Sequence, residues 1–151
     1  MANKRKGIPA GVKDLVLEEA EYECAHCGHK DGAALTCHHI IPFKDKGPTD
    51  YGNLIALCDS CHGRVEKGEI GTKLIRKLKR MQVIRRVTQL GANALRDAYR
   101  FHEIIASPII VRHLVDWGYL NSHNQEIGMT TPSGLYSITE KGRKLVDLWL
   151  K

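Results

Sequence analysis

Apolar positions recur along this chain with a period that changes from segment to segment, and the changes mark its elements. Over 12–20, Val12, Leu15, Val16 and Ala20 share one face of a short helix introduced by Pro9. A tight turn with two cysteines follows at 22–28. Residues 35–41 are apolar and β-branched and predict a strand that Pro42 ends. A polar loop over 44–52, punctuated by Gly47-Pro48 and Gly52, leads to a second strand at 54–57 and a helix from near Ser60 to about Lys67. Gly68 and Gly71 interrupt the pattern. Leu74, Ile75, Leu78, Met81, Ile84, Val87 and Leu90 then recur at three- and four-residue steps, which predicts one long amphipathic helix with its basic residues opposite.

From about Gly91 the texture changes, and this segment carries no cysteines. Residues 94–106 read as a helix, and 108–117 as another that Gly118 closes in the left-handed conformation a helix end favours. A strand at 119–122, a polar stretch over 123–133 and a strand at 135–138 form a hairpin. Thr139 is placed to cap a last helix carrying Leu145, Val146 and Leu148, with Glu140 in its first turn. The run Leu114-Val115-Asp116-Trp117-Gly118-Tyr119-Leu120, with the later Tyr136-Ser137-Ile138-Thr139-Glu140-Lys141-Gly142-Arg143, resembles the recognition helix, wing and final helix of bacterial winged-helix domains.

Composition narrows the class. With 42% apolar and 26% charged residues the chain reads as globular rather than disordered or fibrous, and no apolar run reaches the length of a membrane span. The basic start over 1–6 has no signal-peptide core behind it, so a cytoplasmic location is expected. Charge is unevenly spread. From Lys67 to Arg86 eight basic residues face the single acid Glu69, a local +7 within a chain of net +6, so the remainder sums to about −1. A basic stripe is what phosphate neutralisation requires, and equally what a solvated helix face shows.

In a reducing compartment five cysteines point to metal more than to disulfides. Cys24-Ala25-His26-Cys27 and Cys58-Asp59-Ser60-Cys61 are two Cys-x-x-Cys pairs 30 residues apart. Each turn sets two thiolates near one point, and two such turns make the tetrahedral sulfur site of structural zinc. A domain this small benefits from such a staple. Cys37, inside the first strand, reads as a small buried apolar side chain; His26 and His29 read as surface residues of the first turn, with replacement of a thiolate by either as the alternative.

The stretch Cys37-His38-His39-Ile40-Ile41-Pro42, then Asn53-Leu54, then Cys58-Asp59-Ser60-Cys61-His62 resembles the HNH endonuclease family over about 20–67, specifically members whose ββα-metal core is clamped by two Cys-x-x-Cys pairs. Phosphodiester hydrolysis needs a base for water, a cation for the charge that develops, and rigid placement of both. The resemblance implies that His39 is the general base and that His38 and His62 are ligands of a catalytic divalent metal. It implies that Asn53 orients His39 by holding the inter-strand loop through backbone hydrogen bonds. Some family members place a third ligand where this chain has Glu66, four residues beyond His62; an ion pair is the alternative. Arg64 reads equally as a phosphate contact or as a solvated residue.

The expected architecture is therefore α+β. It comprises a small ββα-metal HNH domain with structural zinc over 1–70, a basic amphipathic linking helix over 71–90 and a winged-helix-like domain over 91–151. The expected cofactors are structural zinc and a catalytic magnesium, manganese, nickel or zinc ion. The expected partner is nucleic acid, double-stranded DNA first, contacted by Lys73, Arg76, Lys77, Lys79, Arg80, Arg85 and Arg86. Two other readings stand beside the endonuclease. One is a non-catalytic zinc-containing winged-helix regulator. The other is a nuclease whose C-terminal domain binds a protein partner or a second copy, since Arg112 is the one Lys or Arg in the recognition helix.

Overall fold

The structure, a computed structural model, describes residues 7–126 and 133–151; the basic start and residues 127–132 of the polar stretch lie outside them. The chain divides into two units, Met1–Gln82 and Val83–Lys151.

In the first unit the apolar run Leu54-Ile55-Ala56-Leu57 becomes strand β2 (Leu54–Cys58), buried along its whole length. It pairs antiparallel with β1 (Leu35–His39), so that Cys37 faces Ala56, His38 faces Ile55 and His39 faces Leu54. Helices α1 (Ala10–Glu19) and α2 (Asp59–Glu66) each contact both strands. Val16, Leu17 and Ala20 of the α1 segment join Leu54, Ile55 and Leu57 in the core. The regular strand stops at His39, two residues before the 35–41 reading, because the Asn53 side chain takes the place of a ladder neighbour. Its Oδ1 accepts from the Ile41 N–H at 2.8 Å and its Nδ2 donates to the Ile41 carbonyl at 3.0 Å.

Helix α3 (Thr72–Val87) corrects the sequence reading twice. Its buried line is Ile75, Lys79, Val83 and Val87, a four-residue ridge, whereas Leu74 and Met81 are exposed. It also ends at Val87 rather than Leu90. Thr88 takes φ 65°, and its hydroxyl accepts from the Gly91 N–H at 3.1 Å, starting a new helix.

The second unit holds α4 (Gln89–Phe101), β3 (Glu103–Ala106), α5 (Pro108–Asp116), β4 (Leu120–Glu126), β5 (Gly134–Ile138) and α6 (Glu140–Leu145), the last continuing into a π-helical turn, Val146–Leu150. The helix read over 94–106 breaks at His102, φ 69°, and Ile104 and Ile105 pair with Tyr136 and Leu135 instead. β-branched side chains suit that ladder better than a helix end. The strands form an antiparallel sheet in the order β3–β5–β4. Gly118 closes α5 at φ 75°, and Thr139 caps α6 by accepting from the Gly142 N–H at 3.0 Å, both as the sequence predicts. Leu95, Val111, Leu114, Leu120, Val146 and Leu150 form the core.

Candidate functional site

The four paired cysteines converge. Cys24 and Cys27 lie in the turn after α1, Cys58 ends β2, and Cys61 sits in the first turn of α2. Backbone bonds set the first turn: Cys24 N–H donates to the His29 carbonyl at 2.8 Å, Gly28 N–H to Cys24 at 2.9 Å, and Ala25 N–H to Ala56 of β2 at 3.0 Å. All four sulfurs lie within 4.8 Å of one another, and Cys27 Sγ is 3.7 Å from Cys58 Sγ. Cys24, Cys58 and Cys61 are buried and Cys27 is exposed.

The acid–base chemistry of this cluster fits a cation at its centre. Burial opposes ionisation of Cys24, but backbone N–H donors from Cys27, Cys58 and His26 outweigh it and bring the thiol down to about 7. Cys61 is pushed far up, first by burial and then by the neighbouring sulfurs Cys58, Cys27 and Cys24. One thiolate forms readily and further ones repel it, and a divalent ion removes that conflict. The donor set could thus hold a structural metal. His26 is not one of the four donors; its Nδ1 lies 3.5 Å from Cys61 Sγ, as an outer partner of a thiolate. Cys37 is half-buried and its thiol is raised by burial, which suits a packing residue.

The histidines divide at the end of β1. The His38 ring stands edge-on to that of His62 in α2, centroids 5.0 Å apart. His62 Nδ1 is 3.9 Å from Glu66 Oε1 on the next helical turn, with Glu66 largely exposed. Burial first, and then His62, hold His38 below its ordinary value of 6.5, so its imidazole is neutral at physiological pH, the form that binds metal. His39 turns instead into the loop after β1. Its Nε2 lies 3.0 Å from Thr49 Oγ1, and its ring packs edge-on against Phe43 at 6.5 Å.

Asn53 builds that loop. Besides bonding Ile41, its buried side chain donates from Nδ2 to the Pro48 carbonyl at 2.9 Å, while its own N–H donates to Asp50 Oδ1 at 3.1 Å. Gly47 lies so close to the chain leaving β1 that a Cβ there would fall 1.8 Å from the Ile41 oxygen. Only glycine allows the loop to close against the strand end.

The basic residues do not form one set. Lys73, Arg76, Lys77 and Arg80 are exposed on α3 in the first unit, and Arg85 is exposed in the second. Arg86 is half-buried with its guanidinium 4.4 Å above the Trp117 ring. Lys79 departs from the phosphate-facing reading. Its side chain is 0% exposed and ion-paired to Glu19, likewise 0% exposed, and its Nζ stands 4.0 Å over the Tyr51 ring. Tyr51 donates to Glu19 Oε1 at 2.5 Å. Reading charge by helical face assigned Lys79 to the wrong side because its partner lies 60 residues away in α1. Arg64 pairs with Glu69 at 3.1 Å on the surface. Thr49, Glu19 and Tyr51 were not singled out from sequence. The one signal available for Thr49 was its place in a loop that Asn53 closes.

The HNH endonuclease family model matches residues 24–68, which contain all four clustered cysteines, both strand histidines, Asn53 and His62. Anaredoxin from Nostoc sp. is 39% identical over 70 residues, which are 46% of this chain and 91% of that protein. No solved structure matches the chain. Among the described residues, no helix is long and apolar enough to cross a membrane.

Proposed function

Since this chain belongs to the HNH endonuclease family, we propose that its first unit is a metal-dependent endonuclease that hydrolyses phosphodiester bonds in DNA. The name Anaredoxin denotes no nuclease, so the reading rests on the site itself. The observation that carries it is the division of labour at the end of β1, where His38 meets His62 and His39 turns into a loop built by Asn53.

Zinc held by Cys24, Cys27, Cys58 and Cys61 is structural, because four sulfurs leave no position for substrate. The four sulfurs belong to the α1 turn, the end of β2 and the start of α2, so a metal held by them would fix His62 relative to His38. His38 and His62 would hold a second, catalytic ion (magnesium, manganese, nickel or zinc), and Glu66, with Oε1 3.9 Å from His62 Nδ1, is the candidate third ligand. When bound, that ion offsets the negative charge that develops on the phosphate and the leaving oxygen. His39 takes the proton from the attacking water, and Asn53 keeps its strand end and loop in one geometry. The exposed Lys73, Arg76, Lys77 and Arg80 of the first unit hold the phosphate backbone without reading sequence.

The second unit, with its order helix, strand, helix, hairpin and helix, reads as a winged-helix-like domain. Its helix α5 carries Arg112 as its one Lys or Arg and exposes Ile109 at 86%, which favours a protein partner for this helix over base readout. Cysteines without disulfides fit a reducing cytoplasm. The test of the reading is divalent-metal-dependent cleavage of DNA by the wild type and its loss in His39→Ala.

A further inference from the structure

We propose that Phe43, flanked by Lys44 and Lys46, is a stacking platform for an unpaired nucleobase beside the scissile phosphate. The unit then prefers DNA that offers a displaced or single-stranded nucleotide at the cut. The inference rests on the nuclease reading of the first unit and names the structure of the DNA it takes.

The starting observation is the place of one apolar ring. Phe43 opens a short 3-10 turn, Phe43–Asp45, four residues after the end of β1, and keeps 44% of its surface exposed. A single exposed apolar side chain is ordinary on a protein surface. This one borders the histidine read as the base: it packs edge-on against His39, ring centroids 6.5 Å apart and planes at 70°. In such a contact one ring offers its edge and the other one face. Whichever part Phe43 takes, at least one of its faces is left uncovered by His39.

The turn holds the ring still. The Pro42 carbonyl accepts from the Asp45 N–H at 2.9 Å and the Gly47 N–H at 3.1 Å, and the Phe43 carbonyl accepts from the Lys46 N–H at 3.0 Å. Lys46 reverses the chain with φ 61°, and Gly47 packs against the Ile41 carbonyl where no Cβ fits. Asn53 then grips the Pro48 carbonyl. A ring on so constrained a backbone has little freedom left to lose when a ligand covers it. Lys44 and Lys46 are both exposed, and Asp45 is the one acid of 43–46, so the turn carries a net +1.

An aromatic face beside cations is the equipment of single-strand recognition, because every base has a π face and lysines follow the backbone. Bases in a duplex already stack on each other. An aromatic side chain therefore meets a free π face only where a base is unpaired. Wedging between paired bases is the other use of phenylalanine on DNA, and it requires the ring to enter the base stack. A ring held against His39, with more than half its surface covered, projects too little for that. The exposed cations of α3 attract any duplex, whereas Phe43 discriminates by whether a base is available.

The test is binding, read by fluorescence anisotropy on the zinc-loaded full chain with no magnesium, manganese or nickel added. Three duplexes of one sequence are compared. One is fully paired, one carries a single unpaired nucleotide, and one has an abasic unit in that nucleotide's place, keeping the irregular backbone without the base. Base–aromatic stacking is worth about 5–150-fold in affinity per base. Wild type should bind the unpaired-base duplex more tightly than the abasic one by a factor in that range. Phe43→Ala should erase the difference, and Phe43→Tyr, which keeps the ring, should retain it. Replacing Lys44 and Lys46 together by Gln should weaken all three complexes alike and lower the log–log salt slope by about two; an unaltered slope strikes the lysines from the platform. Equal wild-type affinity for the unpaired-base and abasic duplexes, or a preference that survives Phe43→Ala, overturns the proposal. So does a Phe43→Ala loss confined to fully paired DNA, the mark of a wedge. Cleavage in added metal is scored separately: cleavage without the base preference removes this proposal and leaves the nuclease reading, and the base preference without cleavage does the reverse.

Discussion

Replacing Lys79 by methionine separates a structural charge from a DNA-binding one. Lys79 and the Tyr51 hydroxyl both bond Glu19 in the first unit, with both charged side chains 0% exposed. Methionine matches the length of the lysine stem, so packing is largely kept and the perturbation is the lost ammonium. Breaking a buried pair from one side costs about 3–5 kcal/mol, because the remaining charge keeps its desolvation penalty without its partner. Tyr51 still donates to Glu19, which places the expected loss near the low end, about 3 kcal/mol. For a unit of this size each kcal/mol moves Tm by about 4–8 °C, so the transition should fall by about 12–24 °C. The double variant Glu19→Gln/Lys79→Met removes both charges while leaving Gln to bond Tyr51, and should recover most of that loss. Both tryptophans, Trp117 and Trp149, belong to the second unit, so far-UV circular dichroism and chromogenic detection of released zinc are the suitable probes. A single-variant loss under about 1 kcal/mol, or a double variant no more stable than the single one, would show that the pair does not contribute as the burial argues.

Purified protein should contain one zinc per chain. Cys58→Ser should lose it and unfold the first unit, since zinc binding of about 10–16 kcal/mol is here folding free energy; absence of zinc, or a disulfide among the four cysteines, rules the site out. Replacing Arg76, Lys77 and Arg80 together by Gln should lower the log–log salt slope of DNA binding by about three, one per phosphate contact, while Lys79→Met leaves it unchanged. An unaltered slope in the triple variant would assign the DNA contact elsewhere. His38 carries a folded-state pKa below its ordinary 6.5, so its contribution to stability is present above that value and is lost as pH falls through 6.5 toward the lowered one. Stability of the wild type should drop in that window more steeply than that of His38→Gln, by at most about 1.4 kcal/mol per pH unit; equal slopes would contradict the burial of this ring.

The parts of the site that sequence revealed are those whose chemistry is local. Two Cys-x-x-Cys turns announce a four-sulfur cluster because each pair is close by chain geometry alone, and the structure brings all four together. The element order of the first unit was legible because β2 is an unbroken apolar run and Pro42 sets an outer limit for β1, which ends at His39. What escaped depends on partners distant in sequence. Lys79 looks like any basic helix residue until Glu19 is folded against it, and Ile75, one turn earlier on the same face, is buried as well. Thr49 carries no signal of its own, since its meaning comes from the loop that Gly47 and Asn53 fold back onto His39. The α3–α4 break turned on the left-handed backbone of Thr88, which no helical periodicity reports, and β3 was hidden because Ile104 and Ile105 also continue a helical apolar pattern.

If His39, on a strand end set by Asn53 beside the His38–His62 pair, is the general base, this unit is a nuclease. Nicking of supercoiled plasmid in magnesium, manganese or nickel, by zinc-loaded wild type and His39→Ala side by side, tests it most directly. Loss of a general base typically costs about 10²–10⁴ in rate, so the variant should nick at least about a hundredfold more slowly while binding DNA and melting as the wild type does. Equal nicking by the two proteins, or none by the wild type with any of these metals, contradicts it.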